Sequence, residues 1–163
     1  MIVSARLAAN ADVIRLVSLY REMEVEQTAR KPIWALTDGL DQRFDISLAR
    51  AIEAEDSFVL TGEIDGATVG FIWATIEPML DRAQGALIGR MRLIYTEPDA
   101  RGVGVGHTML TEMMELLRSR GIHHFDAPVG PGQRAAKNFF ESHRFAARSI
   151  IMYSTDTVAT DDS

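Results

Sequence analysis

The sequence contains no cysteine, so disulfides, cysteine-type zinc sites and cysteine nucleophiles are excluded. No apolar run is long enough to span a bilayer, and Met1-Ile-Val-Ser-Ala-Arg6 lacks the charged-then-apolar layout of a secretory leader. An excess of positive charge is missing as well. Seventeen Lys+Arg stand against 23 Asp+Glu, a formal net charge of −6, so the chain as a whole is not drawn to phosphate polymers. These absences predict a cytoplasmic protein with no membrane and no nucleic-acid partner. The 163 residues are 47% hydrophobic and 25% charged, which suffices for one well-buried core. No internal repeat or second core is evident. One domain is therefore expected over residues 1–153, with a polar, acidic tail of small residues and aspartates over 154–163 that is expected to be mobile.

The pattern predicts mixed α/β structure in the order β-α-α-β-β-β-α-β-α-β. Met1 to Arg6 is β-branched and apolar, a first strand. Asn10 is placed to cap a helix whose apolar face, Val13, Leu16, Val17, Tyr20 and Met23, runs to about Gln27. Lys31 to Phe44, with Pro32 and Asp38-Gly39, keeps no period and reads as a loop. A second helix follows, with Ile46, Leu48, Ala49, Ile52 and Ala54 as its apolar members. Ser57–Ile64 and Ala67–Ile76 are β-rich runs joined by Asp65-Gly66, a pair suited to the positive φ of a tight hairpin turn. Another strand covers about Ala86 to Thr96, and a long amphipathic helix runs from about Val103 to Arg120, closed by Gly121. A short strand near His123 to Pro128, the turn Gly130-Pro131-Gly132, a helix from Gln133 to His143 and a last strand from Ala147 to Ser154 complete the reading.

The most informative segment is Arg101-Gly-Val-Gly-Val-Gly-His107, between a predicted strand and a predicted helix. Glycines let the backbone approach a ligand closely, and a helix start presents unpaired N–H groups with the positive end of the dipole. Together they suit a phosphate or pyrophosphate, with Arg101 as an additional charged contact; the alternative is a strand-to-helix turn that holds nothing. A Walker A loop would need Lys-Ser/Thr where His107-Thr108 stands. A dinucleotide fingerprint would need a different glycine spacing from that of Gly102, Gly104 and Gly106, and a place near the N-terminus.

Pro98-Asp-Ala-Arg-Gly-Val-Gly-Val-Gly106, followed by an amphipathic helix, resembles the acyl-CoA loop of the GCN5-related N-acetyltransferase (GNAT) family, whose pattern Arg/Gln-x-x-Gly-x-Gly/Ala is matched by Arg101, Gly104 and Gly106. The opening strand with Asn10-Ala-Asp12, the Asp65-Gly66 hairpin, and Ala136-x-x-Phe-Phe-Glu-Ser-His-Arg-Phe145 resemble other parts of the family, so the likeness covers about residues 1 to 153. It implies a mostly antiparallel central sheet flanked by helices, and an acetyl-CoA-dependent N-acetyltransferase in which an amine attacks the bound thioester directly. By this resemblance the amides of Gly102, Val103, Gly104, Val105, Gly106 and His107 cradle the pyrophosphate of acetyl-CoA. The strand edge at Ile94, Tyr95 and Thr96 pairs with the pantetheine arm where two strands splay apart. Gln133 and Phe140 stand at positions of the last signature that the resemblance brings to the cofactor.

The chain departs from the family pattern at that signature. Phe140 stands where a tyrosine often serves as general acid, and Arg144 where a glycine is usual. An acyl-CoA-binding module without catalysis is therefore the alternative reading. Substitute acids are water or the hydroxyls of Tyr95 or Tyr153. For the base, a carboxylate near the strand split would serve: Asp126 on the short fifth strand, Glu77 at the end of the third, or Glu97 after the fourth. His123 and His124 are adjacent on a strand, so at most one faces a site, and no spacing of histidines supports a metal.

The acceptor is expected to meet Glu22 to Asp56. Its Glu22, Glu24, Glu26, Asp38, Asp41 and Asp45, with Trp34, form either an acidic wall for a cationic amine or a solvated helix face. Met79, Leu80 and Met91 suit an apolar acceptor pocket or a dimer contact. A small-molecule or peptide amine is the expected partner, with a homodimer possible because the family commonly dimerises.

Overall fold

The computed structural model describes residues 1–30, 43–129, 133–152 and 154–156. Pro32, Trp34, Asp38-Gly39, Asp41, Gly130-Pro131-Gly132, Tyr153 and the end of the tail, with the expectations placed on them, lie outside the described residues. The elements are β1 (Val3–Leu7), α1 (Val13–Arg30), α2 (Phe44–Glu53), β2 (Ser57–Ile64), β3 (Ala67–Pro78), β4 (Leu87–Thr96), α3 (Val105–Ser119), β5 (Phe125–Asp126) and α4 (Arg134–Ser142). They build a five-stranded sheet in the order β1-β2-β3-β4-β5, antiparallel except for the last pair. The expected mixed, mostly antiparallel sheet flanked by helices is therefore present.

The β2–β3 hairpin forms as its dipeptide dictates: Asp65 and Gly66 have φ of 49° and 82°, the left-handed pair that matches the twist of the two strands. One sheet face carries Leu60, Ile72, Ala74 and Met91 against Met109, Leu110, Met113 and Leu117 of α3. The other carries Val59, Phe71, Trp73, Leu93 and Tyr95 against Leu16, Leu19, Tyr20 and Met23 of α1 and Phe44 and Leu48 of α2. Tyr20 stacks on Phe44 with ring centroids 4.1 Å apart, clamping α1 to α2.

Three local expectations are corrected. The start of α1 is organised by Asp12 instead of Asn10. The Asp12 carboxylate accepts from the Ala9 N–H at 2.8 Å and from both terminal nitrogens of Arg6, at 2.8 and 2.9 Å. A carboxylate three residues in both caps the turn and complements the helix dipole, so it prevails over a neutral amide. The helix α2 begins at Phe44, where the sequence pattern predicts loop, and it buries Phe44, Leu48 and Ala51 while Ile46 is exposed. The expected last strand is absent among the described residues: 145–152 carries no strand, and Ile150, Ile151 and Met152 are more than four-fifths exposed. Its β-branched composition is right, but a strand also needs a ladder partner, and this segment has none.

Two irregularities shape the site. In the β3–β4 ladder Trp73 pairs with Leu93 and Ala74 with Met91, so Arg92 is an extra residue, a β-bulge that bends β4. On its other side β4 pairs with β5 only through Gly89↔Phe125 and Arg90↔Asp126.

Candidate functional site

From Met91 to Thr96 the β5-facing edge of β4 has no strand beside it among the described residues. At roughly 3.3 Å per residue this is an open edge of about 20 Å, of which Ile94, Tyr95 and Thr96 form the outer end. It leads through a single turn, Pro98–Ala100, into the glycine segment. Gly102 has φ of 82° and Gly104, the N-cap of α3, has φ of 96°; neither conformation suits a residue with a Cβ. No side chain caps α3, and its first turn carries no acid. Its first ladder bond is Thr108 N–H to Gly104 C=O, at 2.9 Å, so the N–H groups of Val105, Gly106 and His107 precede the ladder at the positive end of the dipole.

Arg101 does not extend from this turn as a free cation. Its two terminal nitrogens bind both oxygens of Glu26 at 2.9 Å, its Nε donates to the Thr96 carbonyl at 2.8 Å, and its guanidinium lies over the Tyr95 ring. Beside it Gln133, just before α4, donates to Gln27 of α1. The last turns of α1 thus hold both the glycine segment and the start of α4. His107 meets His143 with Nδ1 and Nε2 2.8 Å apart, while Nδ1 of His143 donates to the Phe139 carbonyl at 2.8 Å. A carbonyl only accepts, so in the neutral pair His143 Nε2 accepts from His107 Nδ1–H, and His107 Nε2 is left as an acceptor.

At the opposite end, where β4 and β5 part, the structure brings together two of the three candidate catalytic residues. Arg90 binds Asp126 through Nε at 3.0 Å and a terminal nitrogen at 2.9 Å, and Glu77 through its other terminal nitrogen at 2.5 Å. Arg92 reaches the second oxygen of Glu77 at 3.3 Å, and Arg148 reaches Asp126 at 3.0 Å. The carboxylates hold the Arg90 guanidinium above its ordinary pKa, with the hydrogen bond to Asp126 as the main cause. Cross-strand pairing of Arg90 with Thr75 puts this cluster on the same sheet face as α1 and α2.

Tyr95 is not part of that cluster. It lies five residues along β4, buried beside Arg101 and Glu26, and burial with the Glu26 charge pushes its pKa up to about 12. Phe140 is only 5% exposed, set edge-on against Phe139 and Phe145 in the core beneath α3. Glu97 binds Arg15 at 2.8 Å, away from the strand split. In the expected acidic wall Glu22 is exposed, Glu26 is paired with Arg101, and Asp45 with Arg43. Sequence reasoning missed Arg90, Arg92, Arg148, Trp73 and Thr75. The alternation Arg90-x-Arg92 within a strand otherwise rich in apolar residues was the available signal.

The sheet splits between its fourth and fifth strands, with a bare helix N-terminus at the wide end. Residues 15–145 match the model of the Acetyltransferase (GNAT) family, and the chain belongs to that family. A mycothiol acetyltransferase of Cellulomonas flavigena is 29% identical over 112 residues, which are 64% of this chain and 32% of that protein. The chain thus spans about a third of the length of the curated relative it matches. Among solved structures, a transcriptional regulator from Bacillus halodurans superposes with a TM-score of 0.76 at 19% identity, over 94% of this chain and 99% of the other. AAC(6')-Iy, solved in complex with the bisubstrate analog CoA-S-monomethyl-acetylneamine, superposes with a TM-score of 0.71 at 14% identity, over 95% and 99%. These two likenesses establish the fold. Among the described residues no helix is long and apolar enough to cross a membrane.

Proposed function

We propose that the chain is an acetyl-CoA-dependent N-acetyltransferase that moves an acetyl group to a primary amine by direct attack in a ternary complex. The observation that carries this reading is the open edge of β4 running straight into an uncapped helix N-terminus. An amide-bearing arm pairs along such an edge as an added strand, and phosphate oxygens accept from helix N-terminal amides. Ile94, Tyr95 and Thr96 would hold the pantetheine arm, and Gly102 to His107 the pyrophosphate. The fit is good, because Val105, Gly106 and His107 offer three amides with no acidic side chain competing for them.

In the reaction the amine nitrogen bonds to the thioester carbonyl carbon, the C–S bond breaks, and the nitrogen loses a proton while the thiolate takes one from water. A main-chain N–H of β4 beside the carbonyl oxygen stabilises the charge that develops there. Glu77 and Asp126 are the carboxylates at the narrow end of the split. Positioned by Arg90, Arg92 and Arg148, they orient the incoming ammonium and pass its proton to water. Asp126 accepts from three guanidinium nitrogens, so Glu77 is the more available of the two.

Calorimetric titration with acetyl-CoA, followed by thiol release with a panel of amines, tests the reading. Saturable binding with amine-dependent thiol release is expected. The sealed position of Phe140 favours the second reading, a binding module without turnover, which would bind acetyl-CoA and release no thiol with any amine. Failure to bind either acetyl-CoA or CoA would overturn both.

A further inference from the structure

Among the described residues two buried polar atoms have no hydrogen-bond partner, and they belong to residues two apart on one strand: the indole Nε1 of Trp73 and the hydroxyl of Thr75. Trp73 is 8% exposed. Both side chains stand on one face of β3, at positions i and i+2, with their Cα atoms roughly 7 Å apart. Buried polar groups are almost always satisfied, and each exception costs free energy unless something else meets it. Their cross-strand partners on β4 are Leu93 and Arg90, and the bulge residue Arg92 lies between these two in sequence. The unmet pair therefore sits on the sheet face at the narrow end of the strand split, beside the Glu77–Arg90–Asp126 cluster.

We infer that Trp73, Thr75 and Arg92 form a subsite for a carboxylate on the acceptor, so that the amine acetylated is one that carries a carboxylate, as an amino acid does. The inference rests on the acetyltransferase reading for its place in a reaction, but the subsite is defined by binding alone. The indole N–H can only donate, and the hydroxyl donates as readily as it accepts, so the group they meet is an oxygen acceptor. A carboxylate has two oxygens and can accept from two donors that stand on one strand face.

Charge selects the same chemistry. Three guanidinium groups, Arg90, Arg92 and Arg148, surround two carboxylates, Glu77 and Asp126, so the cluster carries one positive charge in excess. Arg90 is committed to both acids, whereas Arg92 makes a single long contact of 3.3 Å and is over a third exposed. Arg92 thus has capacity for a further partner, and unlike Arg148 it lies on β4, across from Trp73 and Thr75. A polyamine carries no acceptor for Arg92, Thr75 and Trp73. A zwitterionic acceptor would place its carboxylate on Arg92, Thr75 and Trp73, and its ammonium towards Glu77.

The test is calorimetry on protein saturated with CoA, titrated with L-amino acids, with the corresponding amino-acid amides, and with spermidine. At least one amino acid is expected to bind ten-fold or more tightly than its amide, and spermidine to bind more weakly than either. Arg92→Gln and Thr75→Val should each abolish that preference while leaving CoA affinity unchanged. Thr75→Val also removes an unmet buried hydroxyl, so its melting temperature should equal or exceed that of the wild type, which separates lost binding from lost folding. Amides that bind as well as the acids, a preference for spermidine, or no amino-acid binding at all would each overturn the subsite. Thiol release measured in parallel separates it from the catalytic reading: amino acids that bind without turnover leave the subsite standing and remove the enzyme.

Discussion

Arg101 and Glu26 form a two-pronged ion pair, with both contacts at 2.9 Å, that ties the glycine turn to the last part of α1 across 75 residues of sequence. The pair makes Arg101 an organiser of the turn, where the sequence suggested a direct phosphate contact. The two roles predict opposite results for the partner. If Arg101 shapes the turn through Glu26, Glu26→Ala and Arg101→Ala should each weaken acetyl-CoA binding by a similar factor, about 3- to 10-fold. The double substitution should then be no worse than the poorer single one, as expected of residues that act as a unit. If Arg101 is a phosphate ligand restrained by Glu26, Glu26→Ala should instead tighten binding. Calorimetric Kd values for the four proteins decide.

Gly104 and Gly106 share a motif but answer to different constraints. Gly104 has φ of 96° in otherwise open surroundings, so a Cβ there is opposed by backbone conformation alone. Gly104→Ala should cost about 1–2 kcal/mol of left-handed strain and weaken acetyl-CoA binding by roughly ten-fold as the turn relaxes. Gly106 lies in regular helix, and a Cβ there would come within 3.3 Å of Cε2 of Phe139, a contact a slight ring shift relieves. Alanine is the better helix former by up to about 1 kcal/mol, so Gly106→Ala should change neither stability nor binding by more than about fivefold in the corresponding equilibrium constant. Melting curves and titrations of the two variants side by side measure the contrast.

The hairpin at Asp65-Gly66 and the turn at Gly102 to Gly106 were legible because each is a local backbone requirement written in a few adjacent residues. The features that sequence reading missed depend on partners distant in the chain. Glu26 claims Arg101, and Arg90 joins Glu77 to Asp126, pairings that exist only once the sheet has formed. The bulge at Arg92 is likewise set by register between β3 and β4. The segment Ile150 to Met152 shows the converse: strong strand composition, no strand, because composition supplies propensity and not a ladder partner. Phe140 was legible as a departure from the family pattern, but its burial among Phe139 and Phe145 was not.

The Asp12 carboxyl is held below its ordinary pKa, first by the hydrogen bonds from Arg6 and then by the Ala9 N–H, against an opposing effect of burial. A folded pKa lower than the unfolded one contributes stability that is complete above the unfolded value, near pH 4, and is lost as pH falls through the folded value. Asp12→Asn keeps an acceptor for Ala9 and removes the charge that Arg6 meets. The variant should therefore be about 0.5–1 kcal/mol less stable at pH 7, as for a partly exposed ion pair, and lose less stability than the wild type on acidification. The difference in melting temperature between the two proteins should shrink between pH 4 and pH 2. A constant difference across that range would mean that the pair with Arg6 contributes nothing through its charge.

Phe140 stands where the family pattern often has a tyrosine, which makes Phe140→Tyr a tempting way to supply an acid. The surroundings predict the opposite outcome. The ring is 5% exposed, fixed by edge contacts to Phe139 and Phe145 at centroid distances of 5.3 and 5.2 Å, within the apolar cluster beneath α3. A hydroxyl added to a sealed ring has no acceptor among these phenyl groups, and burying it unpaired costs about 1–3 kcal/mol. A domain of this size should then melt roughly 2–4 °C lower for each kcal/mol lost, with no gain in turnover. Thiol release and thermal unfolding of the variant together decide. A faster enzyme at unchanged stability would place the para position of this ring at the reacting thiolate, and would return residue 140 to the role of proton donor.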